Sequence, residues 1–512
     1  MATQWQTFPI EFKGGLLSNL SPLQQGTNAV GSATILQNFE ATKEGGYSKI
    51  KGYEKYSTTT VPGSGPVLAI KVISSGRIVT ARQNAANVTE YYYGTGTVWT
   101  SMGARPLLGG KVRHALYNLN GDDKVVFVDG SNYPGIYNTS GNTFTAVSSS
   151  TDVLGAEYIA VFKNTAFYAK GNNVVFTAPF SVDDFSSANG AGSINVASAI
   201  TGLAVFRDQL IIFTADSIKR LTGNTTADYQ VSPITDRIGC VNGDTIQEVG
   251  GDIMYLAPDG IRLLSATDRI GDFGLDIASD PISKDATTFL GSTPNFTSVL
   301  MREKAQYRIF AYIESEQSDV AKGLIATKFV SQGATGISWS STFGIKAYVA
   351  DSRYSGTSET IAFANTDGYI YVLDTGSSFD GDSIDAIFES PYMPISDPQV
   401  RKSFYKITLY AEPTGSMSLD LNVKYDFGTN TNTGVIQPTT QTIQSTGSAV
   451  FLYGASNAVF NTSTFGGELD VVYNTNLVGS GKTIALRVED FSTNPTFTLD
   501  TALLEFRQND RQ

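Results

Sequence analysis

The chain is poor in the residues that most often carry enzyme chemistry, with one cysteine, Cys240, and one histidine, His114, among 512 residues. A single cysteine excludes an internal disulfide and a cysteine-cluster metal site. A single histidine leaves little room for Ser-His-Asp or Cys-His triads, or for zinc sites built on histidine. Because His114 lies beside an apolar run, we expect a half-buried structural histidine rather than a catalytic one.

Charge is also scarce. Charged residues make up 16% of the chain, and 48 acidic residues against 36 basic ones give a net charge of −12. A protein that grips nucleic-acid phosphates over a broad surface needs the opposite balance. No apolar run approaches the length of about 18 residues that suggests a membrane span, and no signal peptide is evident. We therefore expect synthesis in the cytoplasm and no membrane insertion.

The chain is rich instead in glycine (50), tyrosine (25) and phenylalanine (29), and 41% of its residues are hydrophobic. Aromatic residues favour half-buried pleated sheets, and glycines favour turns. Few segments show the 3.6-residue period of a helix. The length suggests two or three domains. Together these features predict an ordered, turn-rich, all-β protein.

One strand–turn–strand pattern occurs three times between residues 158 and 265. The predicted hairpins join residues 158–162 to 165–170, 203–206 to 209–214, and 245–249 to 252–257. A third short strand follows each hairpin, after turns at Asn172, Asp216 and Asp259 that are 44 and 43 residues apart. A repeat of about 40–50 residues with three or four strands is typical of a β-propeller blade. With further hairpins on both sides, the pattern predicts six or seven blades.

The predicted propeller spans residues 66–395. Residues 1–65 are predicted to form an ordered N-terminal arm against the first blade, with a candidate short helix over residues 31–39. Longer strands then predict a C-terminal β-sandwich over residues 396–512, with a Thr-, Asn- and Gln-rich connection at residues 429–448. The predicted strands of this sandwich lie at residues 404–411, 417–425, 467–473, 482–489 and 497–506.

Carboxylates are the remaining candidates for chemistry. Asp380, Asp382 and Asp385 lie close together in one loop, but the ligand order of an EF-hand is missing, so we expect an exposed acidic turn. A glycosidase pair among the acidic residues stays open. The Ser-x-Asp-x-Gly-x-x-Trp boxes of propeller sialidases are absent. Tryptophan occurs only as Trp5, Trp99 and Trp339. No catalytic, cofactor-binding or metal-binding residue is predicted, and the expectation is a protein that is not an enzyme.

Motifs along most of the chain add a further indication. They are FKGGLLS (residues 12–18), GGYSKIKGY (45–53), VVFVDGSNYP (125–134), ITGLAVFRDQLIIFTADSIK (200–219), GDIMYLAPDGIR (251–262) and RKSFYKITLY (401–410). In these segments the chain resembles the tail nozzle of short-tailed bacteriophages (podoviruses), a family also called the packaged-DNA stabilisation protein. The family has no catalytic residues to transfer to this chain.

The resemblance implies a structural protein of the virion tail, synthesised in the host cytoplasm. Six copies would form a ring below the portal and its adaptor protein, closing the DNA exit channel and supporting genome packaging, retention and ejection. Tail fibres, spikes or a tail needle are further expected partners. The acidic charge predicts that passing duplex DNA is contacted only weakly. The N-terminal arm, the sandwich and the unpaired Cys240 also suit contacts between copies.

Two other functions stay open from the sequence. A carbohydrate- or receptor-binding propeller of a phage tail would present aromatic platforms at the mouth of a blade. A glycan-cleaving propeller would hold a pair of carboxylates in its central funnel.

Overall fold

The computed structural model describes residues 5–74, 76–118, 123–147, 150–265, 277–291, 295–331, 334–428, 437–445 and 471–509. Strands make up 53% of the fold and helices 7%, so the predicted all-β class is confirmed. Six small sheets lie in a ring and form a six-bladed β-propeller, within the predicted range. Two larger sheets form an additional β-domain. No helix among the described residues is long and apolar enough to cross a membrane.

The first 65 residues contribute one helix and five short strands. They are β1 (Gln6–Glu11), α1 (Pro22–Asn28), β2 (Ile35–Gln37), β3 (Phe39–Ala41), β4 (Tyr47–Lys49) and β5 (Tyr53–Lys55). These strands belong to different sheets: β1, β3 and β4 to a seven-stranded sheet, β2 to a nine-stranded sheet, and β5 to a propeller blade. The following residues contact the first blade, where Trp99 Nε1 donates to the Thr59 carbonyl. The segment is therefore shared between the propeller and the additional domain.

The helix predicted over residues 31–39 is wrong, because this stretch forms β2 and β3. The helix lies earlier, at α1, where the Ser21 side chain accepts a hydrogen bond from the Gln24 amide and Pro22 occupies the first turn. Both features favour a helix start. The strand β2 is completed by distant partners, since Ile35 pairs with Glu389 and Gln37 with Ser341. A local pattern cannot show such pairing.

The first four blades each have four antiparallel strands in chain order. Blade one holds β6 (Ser64–Ser74), β7 (Arg77–Gln83), β8 (Thr89–Gly94) and β9 (Trp99–Ala104). Blade two holds β10 (Arg113–Asn118), β11 (Asp123–Val128), β12 (Gly135–Asn138) and β13 (Thr143–Ala146). Blade three holds β14 (Tyr158–Phe162), β15 (Thr165–Lys170), β16 (Asn173–Phe176) and β17 (Gly192–Asn195). Blade four holds β18 (Ile200–Phe206), β19 (Gln209–Thr214), β20 (Ile218–Thr222) and β21 (Gln230–Thr235).

Blade five has three strands among the described residues, and four antiparallel strands follow it. Blade five holds β22 (Gln247–Val249), β23 (Asp252–Ala257) and β24 (Gly260–Leu263). After the helix α2 (Ser283–Gly291) come β25 (Asn295–Met301), β26 (Gln306–Tyr312), β27 (Lys322–Ser331) and β28 (Ala334–Phe343). The unit β25–β28 lies between blades five and six: Ser298 Oγ donates to the Asp244 carbonyl, and Ser352 Oγ to the Leu300 carbonyl. It continues into the nine-stranded sheet.

Blade six joins the two ends of the propeller. It holds β29 (Val349–Ser355), β30 (Ser358–Ala364), β31 (Ile370–Leu373) and, as its fourth strand, β5 from the N-terminal segment. Tyr371 pairs with Lys55 and Leu373 with Tyr53. Because β5 comes from the segment just before blade one, its pairing with β31 joins the start of the propeller to its last blade and closes the ring.

The remaining strands complete the two large sheets. They are β32 (Ala386–Glu389), β33 (Lys402–Pro413), β34 (Met417–Tyr425), β35 (Gln441–Ser445), β36 (Val471–Asn476), β37 (Ser480–Gly481), β38 (Ile484–Asp490) and β39 (Phe497–Gln508). The nine-stranded order is β25-β26-β27-β28-β2-β32-β38-β34-β35, and the seven-stranded path is β3-β4-β39-β33-β36, with β1 beside β39 and β37 beside β33. One hydrophobic core includes Leu409 and Leu504 from the second sheet and Leu421 and Leu486 from the first.

The predicted strands of this domain agree with the structure where it describes them. Every second side chain of β34 is buried, as the alternation predicted. Part of the predicted strand at residues 467–473 and most of the connection at residues 429–448 lie outside the described residues. The division of the chain at residues 65 and 395 stays a prediction.

Candidate functional site at the propeller centre

The first strands of successive blades contact one another, as β6 does with β29 and β10 with β14, so charged side chains on these strands meet near the centre of the ring. The strands β6, β10 and β29 supply Lys71, Arg113, His114 and Asp351. A 3-10 turn at Gly243–Thr245, capped by the Asn242 side chain, supplies Asp244. Charges inside a propeller need partners, because burial of an unpaired charge is costly.

Asp244 is the centre of a first ion cluster. Its carboxylate accepts hydrogen bonds from Arg113 Nε at 2.7 Å and Nη2 at 3.1 Å, and it pairs with Lys111 Nζ at 3.1 Å. The Arg113 guanidinium lies 4.3 Å from the centre of the Tyr158 ring, and Lys111 lies 5.1 Å from that of Tyr348. Burial by itself would raise the pKa of Asp244, but the two cations lower it to about 2. The carboxylate is therefore ionised and neutralised from two sides.

Asp351 is the centre of a second ion cluster. Its oxygens accept hydrogen bonds from Lys71 Nζ at 3.0 and 3.1 Å and from the Val72 amide at 2.8 Å. Burial would raise the pKa of Asp351, but the Lys71 ammonium and the Val72 amide outweigh it, and the pKa lies below its usual value. Neither central carboxylate thus has the raised pKa that a general acid in glycoside hydrolysis requires.

His114 packs beside Asp351 and Lys71 as a neutral ring. Its Nε2 lies 2.9 Å from the Ile70 carbonyl oxygen, which can only accept, so the ring hydrogen is on Nε2. The side chain is 19% exposed and lies 3.9 Å from Asp351. Burial and the nearby Lys71 ammonium lower the pKa of His114 to about 4. This placement agrees with the predicted half-buried structural histidine.

Protonation of His114 in the unfolded chain is expected to lower the free energy of unfolding by up to about 3 kcal/mol as the pH falls from 6.5 to 4. Its pKa is about 4 in the folded chain against an ordinary value of 6.5, so the unfolded chain takes up the proton first. The contribution is complete above pH 6.5 and is lost as the pH falls towards 4. His114→Gln keeps a donor for the Ile70 carbonyl but does not titrate. Its urea midpoint should therefore fall less than that of the unmodified chain between pH 6.5 and 4. Equal losses of stability in His114→Gln and the unmodified chain would contradict the lowered pKa of His114.

The acidic loop and the cysteine lie elsewhere. Asp380, Asp382 and Asp385 are exposed, and Asp380 pairs with Lys55 at 2.6 Å. No group of three or more metal-ligating side chains occurs among the described residues. Cys240 is fully buried, its Sγ donates to the Asn242 carbonyl, and burial raises its pKa to about 12. It therefore cannot contact another copy, and the expectation that Cys240 suits contacts between copies is wrong.

The sequence analysis did not predict the two ion clusters at the propeller centre, although one feature of the sequence indicated charge there. Lys111 and Arg113 flank Val112 at the start of β10, whose middle residues Ala115 and Leu116 are apolar. Charged residues on an innermost strand indicate a polar propeller centre. Their partner Asp244 is 131 residues from Arg113, so the pairing itself was not visible.

A second feature lies on the outer face of the seven-stranded sheet, here called the outer aromatic patch and formed by Trp5, Tyr405 and Arg507. The rings of Trp5 and Tyr405 are 5.0 Å apart, and the Arg507 guanidinium lies 5.7 Å from the Trp5 ring. Trp5 is 48% exposed and Tyr405 50%. A register shift in β33 between Phe404 and Lys406 turns Tyr405 outward. The other two tryptophans make hydrogen bonds to backbone carbonyls.

No family model matches the chain, and no curated protein matches it. Among solved structures, an exo-β-1,3-galactanase from Phanerochaete chrysosporium aligns with 89% of this chain and 100% of its own length, at 9% identity and a TM-score of 0.26. PorZ, a surface component of the type IX secretion system of Porphyromonas gingivalis, aligns with 66% of this chain and 39% of its own length. The identity to PorZ is 14% and the TM-score is 0.35. At these scores neither likeness bears on the activity of this chain.

Proposed function

We propose that the chain is a structural subunit of the tail nozzle ring of a short-tailed bacteriophage. Copies of it would form and close the DNA exit channel below the portal and its adaptor protein. The observation that carries a scaffolding role is the propeller centre, where ion pairs neutralise both Asp244 and Asp351. The specific place in a phage tail rests on the sequence motifs at residues 12–18, 200–219 and 401–410.

The central ion clusters favour a scaffold over a glycan-cleaving propeller. A glycosidase needs one carboxylic acid that donates a proton and a second carboxylate that acts as base or nucleophile. Asp244 and Asp351 both have lowered pKa values and both have cationic partners within 3.1 Å. They are suited to hold blades together across the propeller centre, because the first cluster joins blades two and five and the second joins blades one and six. We propose that the chain is not an enzyme.

The outer aromatic patch is the proposed contact between copies. Tyrosine, tryptophan and arginine are enriched in protein–protein interfaces and at the residues that dominate binding energy. Here one of each lies together on an exposed sheet face, with Lys406 and Glu505 beside it 4.0 Å apart. A ring built through such a face leaves the propellers free to contact the adaptor, fibres, spikes or needle. With a net charge of −12, duplex DNA in the channel would be held only weakly.

The purified chain is expected to form a closed ring, alone or on a portal that carries its adaptor, and the resemblance implies six copies. Mass photometry and cryo-EM would measure the copy number. Replacing Trp5 and Tyr405 together by alanine should weaken assembly by about thirtyfold, since each removes an anchor from the contact.

The matched control is Phe491→Ala, which removes an aromatic ring that is 52% exposed and lies outside the outer aromatic patch. This variant should assemble like the unmodified chain. A chain that remains monomeric at high concentration, both alone and with the adaptor-bearing portal, would contradict the proposed function. Normal assembly of the double variant would contradict the proposed contact.

A further inference from the structure

A cavity of about 420 Å³ lies between the second and third blades, and is here called the inter-blade cavity. A row of side chains from blade two lines it, because Lys124, Asn138 and Thr143 face one another in register across β11, β12 and β13. Tyr117 continues this row on β10. The loop at residues 180–183 of blade three forms the opposite wall.

The inter-blade cavity combines an apolar floor, formed by Tyr117, Ile136 and Val182, with polar side chains around it. Close by, the same two blades meet through Val126, Ala166 and Tyr168, which are buried in one apolar cluster. Thr143 and Asp183 at the edge of the cavity are exposed, so the cavity opens to solvent and is not part of the packed apolar cluster. Lys124 and Thr143 instead bring an ammonium and a hydroxyl to the cavity. Its chemistry suits a ligand that is itself rich in hydrogen-bonding groups.

An aromatic ring, that of Phe180, lies at the opening of the inter-blade cavity. Phe180 lines the cavity and is 61% exposed, so its ring face is available to a ligand. Its backbone has φ of +62°, a conformation that is unfavourable for a residue with a side chain. The Phe180 amide is held there by a hydrogen bond of 2.7 Å to the Asn164 carbonyl. The fold thus holds Phe180 in an unfavourable backbone conformation in which its apolar ring is exposed to solvent.

Hydrogen bonds from blade three hold the loop that carries Phe180 in place. The buried Tyr168 hydroxyl donates to the Val182 carbonyl at 2.7 Å, and Thr177 Oγ1 donates to the Ser181 carbonyl at 2.7 Å. Ser181 Oγ in turn donates to Asp183 Oδ1 at 2.9 Å. A loop fixed in this way loses little conformational entropy when a ligand binds, which favours affinity.

We infer that the inter-blade cavity binds a sugar unit of a glycan. Its volume falls within the range of small-molecule sites, which combine an aromatic wall with a few polar groups. The apolar face of a pyranose would stack on Phe180, and its hydroxyls would bond with Lys124, Thr143 and Asp183. One cation and one anion suit a hydroxyl-rich ligand, whereas a phosphate-rich one would need several cations. This site involves neither the outer aromatic patch nor assembly of a ring.

The full-length protein would be screened on an array of oligosaccharides built from hexoses, deoxyhexoses, N-acetylhexosamines and uronic acids. Isothermal titration would then measure the dissociation constant of the strongest binder. Phe180→Ala should weaken that binding about tenfold through loss of the stacking face. Thr143→Val keeps the shape of the side chain and removes its hydroxyl, and should weaken binding about fivefold.

Phe427→Ala is the matched control, because Phe427 is 50% exposed, also has a positive φ of +57°, and lies outside the cavity. It should leave glycan binding unchanged. Saturation-transfer NMR on the bound sugar should show contact between its ring protons and an aromatic side chain, and this signal should disappear in Phe180→Ala. No binder on the array, or equal binding by Phe180→Ala and the unmodified chain, would overturn the inference. Failure of ring assembly would leave this result unchanged.

Discussion

Replacing Asp244 by alanine is expected to lower the free energy of unfolding by about 3–5 kcal/mol. The carboxylate pairs with Lys111 and Arg113 at 2.7–3.1 Å, on elements from blade five and the start of blade two. Without it, two cations remain in a poorly hydrated site. Their other partners are the Phe296 and Glu157 carbonyls and aromatic ring faces. Urea unfolding followed by tryptophan fluorescence would measure the loss.

The control for Asp244 is a charge removed from an exposed ion pair. Glu11 and Lys13 form such a pair, with side chains 62% and 66% exposed, so Glu11→Gln should leave the free energy of unfolding almost unchanged. Adding Lys111→Met to Asp244→Ala should recover part of the loss, since one unpaired cation is then removed. If Asp244→Ala costs no more than Glu11→Gln, the central cluster does not hold the blades together.

The second large effect is expected at the strand that closes the propeller. Tyr53 on β5 is 9% exposed and stacks on Phe379 with ring centres 5.0 Å apart. The rings of Phe363 and Tyr371 meet it edge-on at 5.0 and 5.1 Å. Tyr53→Ala removes the centre of this aromatic cluster and should lower the free energy of unfolding by about 3–5 kcal/mol.

Differential scanning calorimetry would measure the change for Tyr53→Ala, with Tyr354→Ala as the control. Tyr354 lies in the same blade but is 40% exposed, so its replacement should change the free energy of unfolding far less than that of Tyr53. Because β5 comes from the N-terminal segment, Tyr53→Ala should destabilise the whole propeller. A thermogram in which only a minor transition moves would show that ring closure does not depend on this strand.

The hairpins of the blades could be predicted from sequence because their determinants are local. The structure places β14 at Tyr158–Phe162 and β15 at Thr165–Lys170, as predicted. The turn between them, Lys163 and Asn164, has positive φ at both residues, the conformation of a two-residue hairpin turn. Alternating burial in β34 could likewise be predicted, since one strand face packs on the core and the other meets water.

Pairing between distant parts of the chain could not be predicted in this way. Residues 35–37 fit a short helix locally but form β2, because their partners β28 and β32 lie about 300 and 350 residues away, a separation over which periodicity carries no information. The same is true of Lys49 and Asp490, fully buried and joined at 2.9 Å across 441 residues. One partner without the other gives no signal of an ion pair.

The all-β class, the blade repeat and the location of the hairpins follow from the sequence, because turn residues and two-residue alternation act within a few positions. Tertiary structure alone decided that β5 closes the ring, that Asp244 neutralises Lys111 and Arg113, and that Cys240 is buried. It also brought Phe180 to the wall formed by Lys124 and Thr143. These features depend on which blades become neighbours, and that is set by the packing of whole sheets rather than by any local pattern.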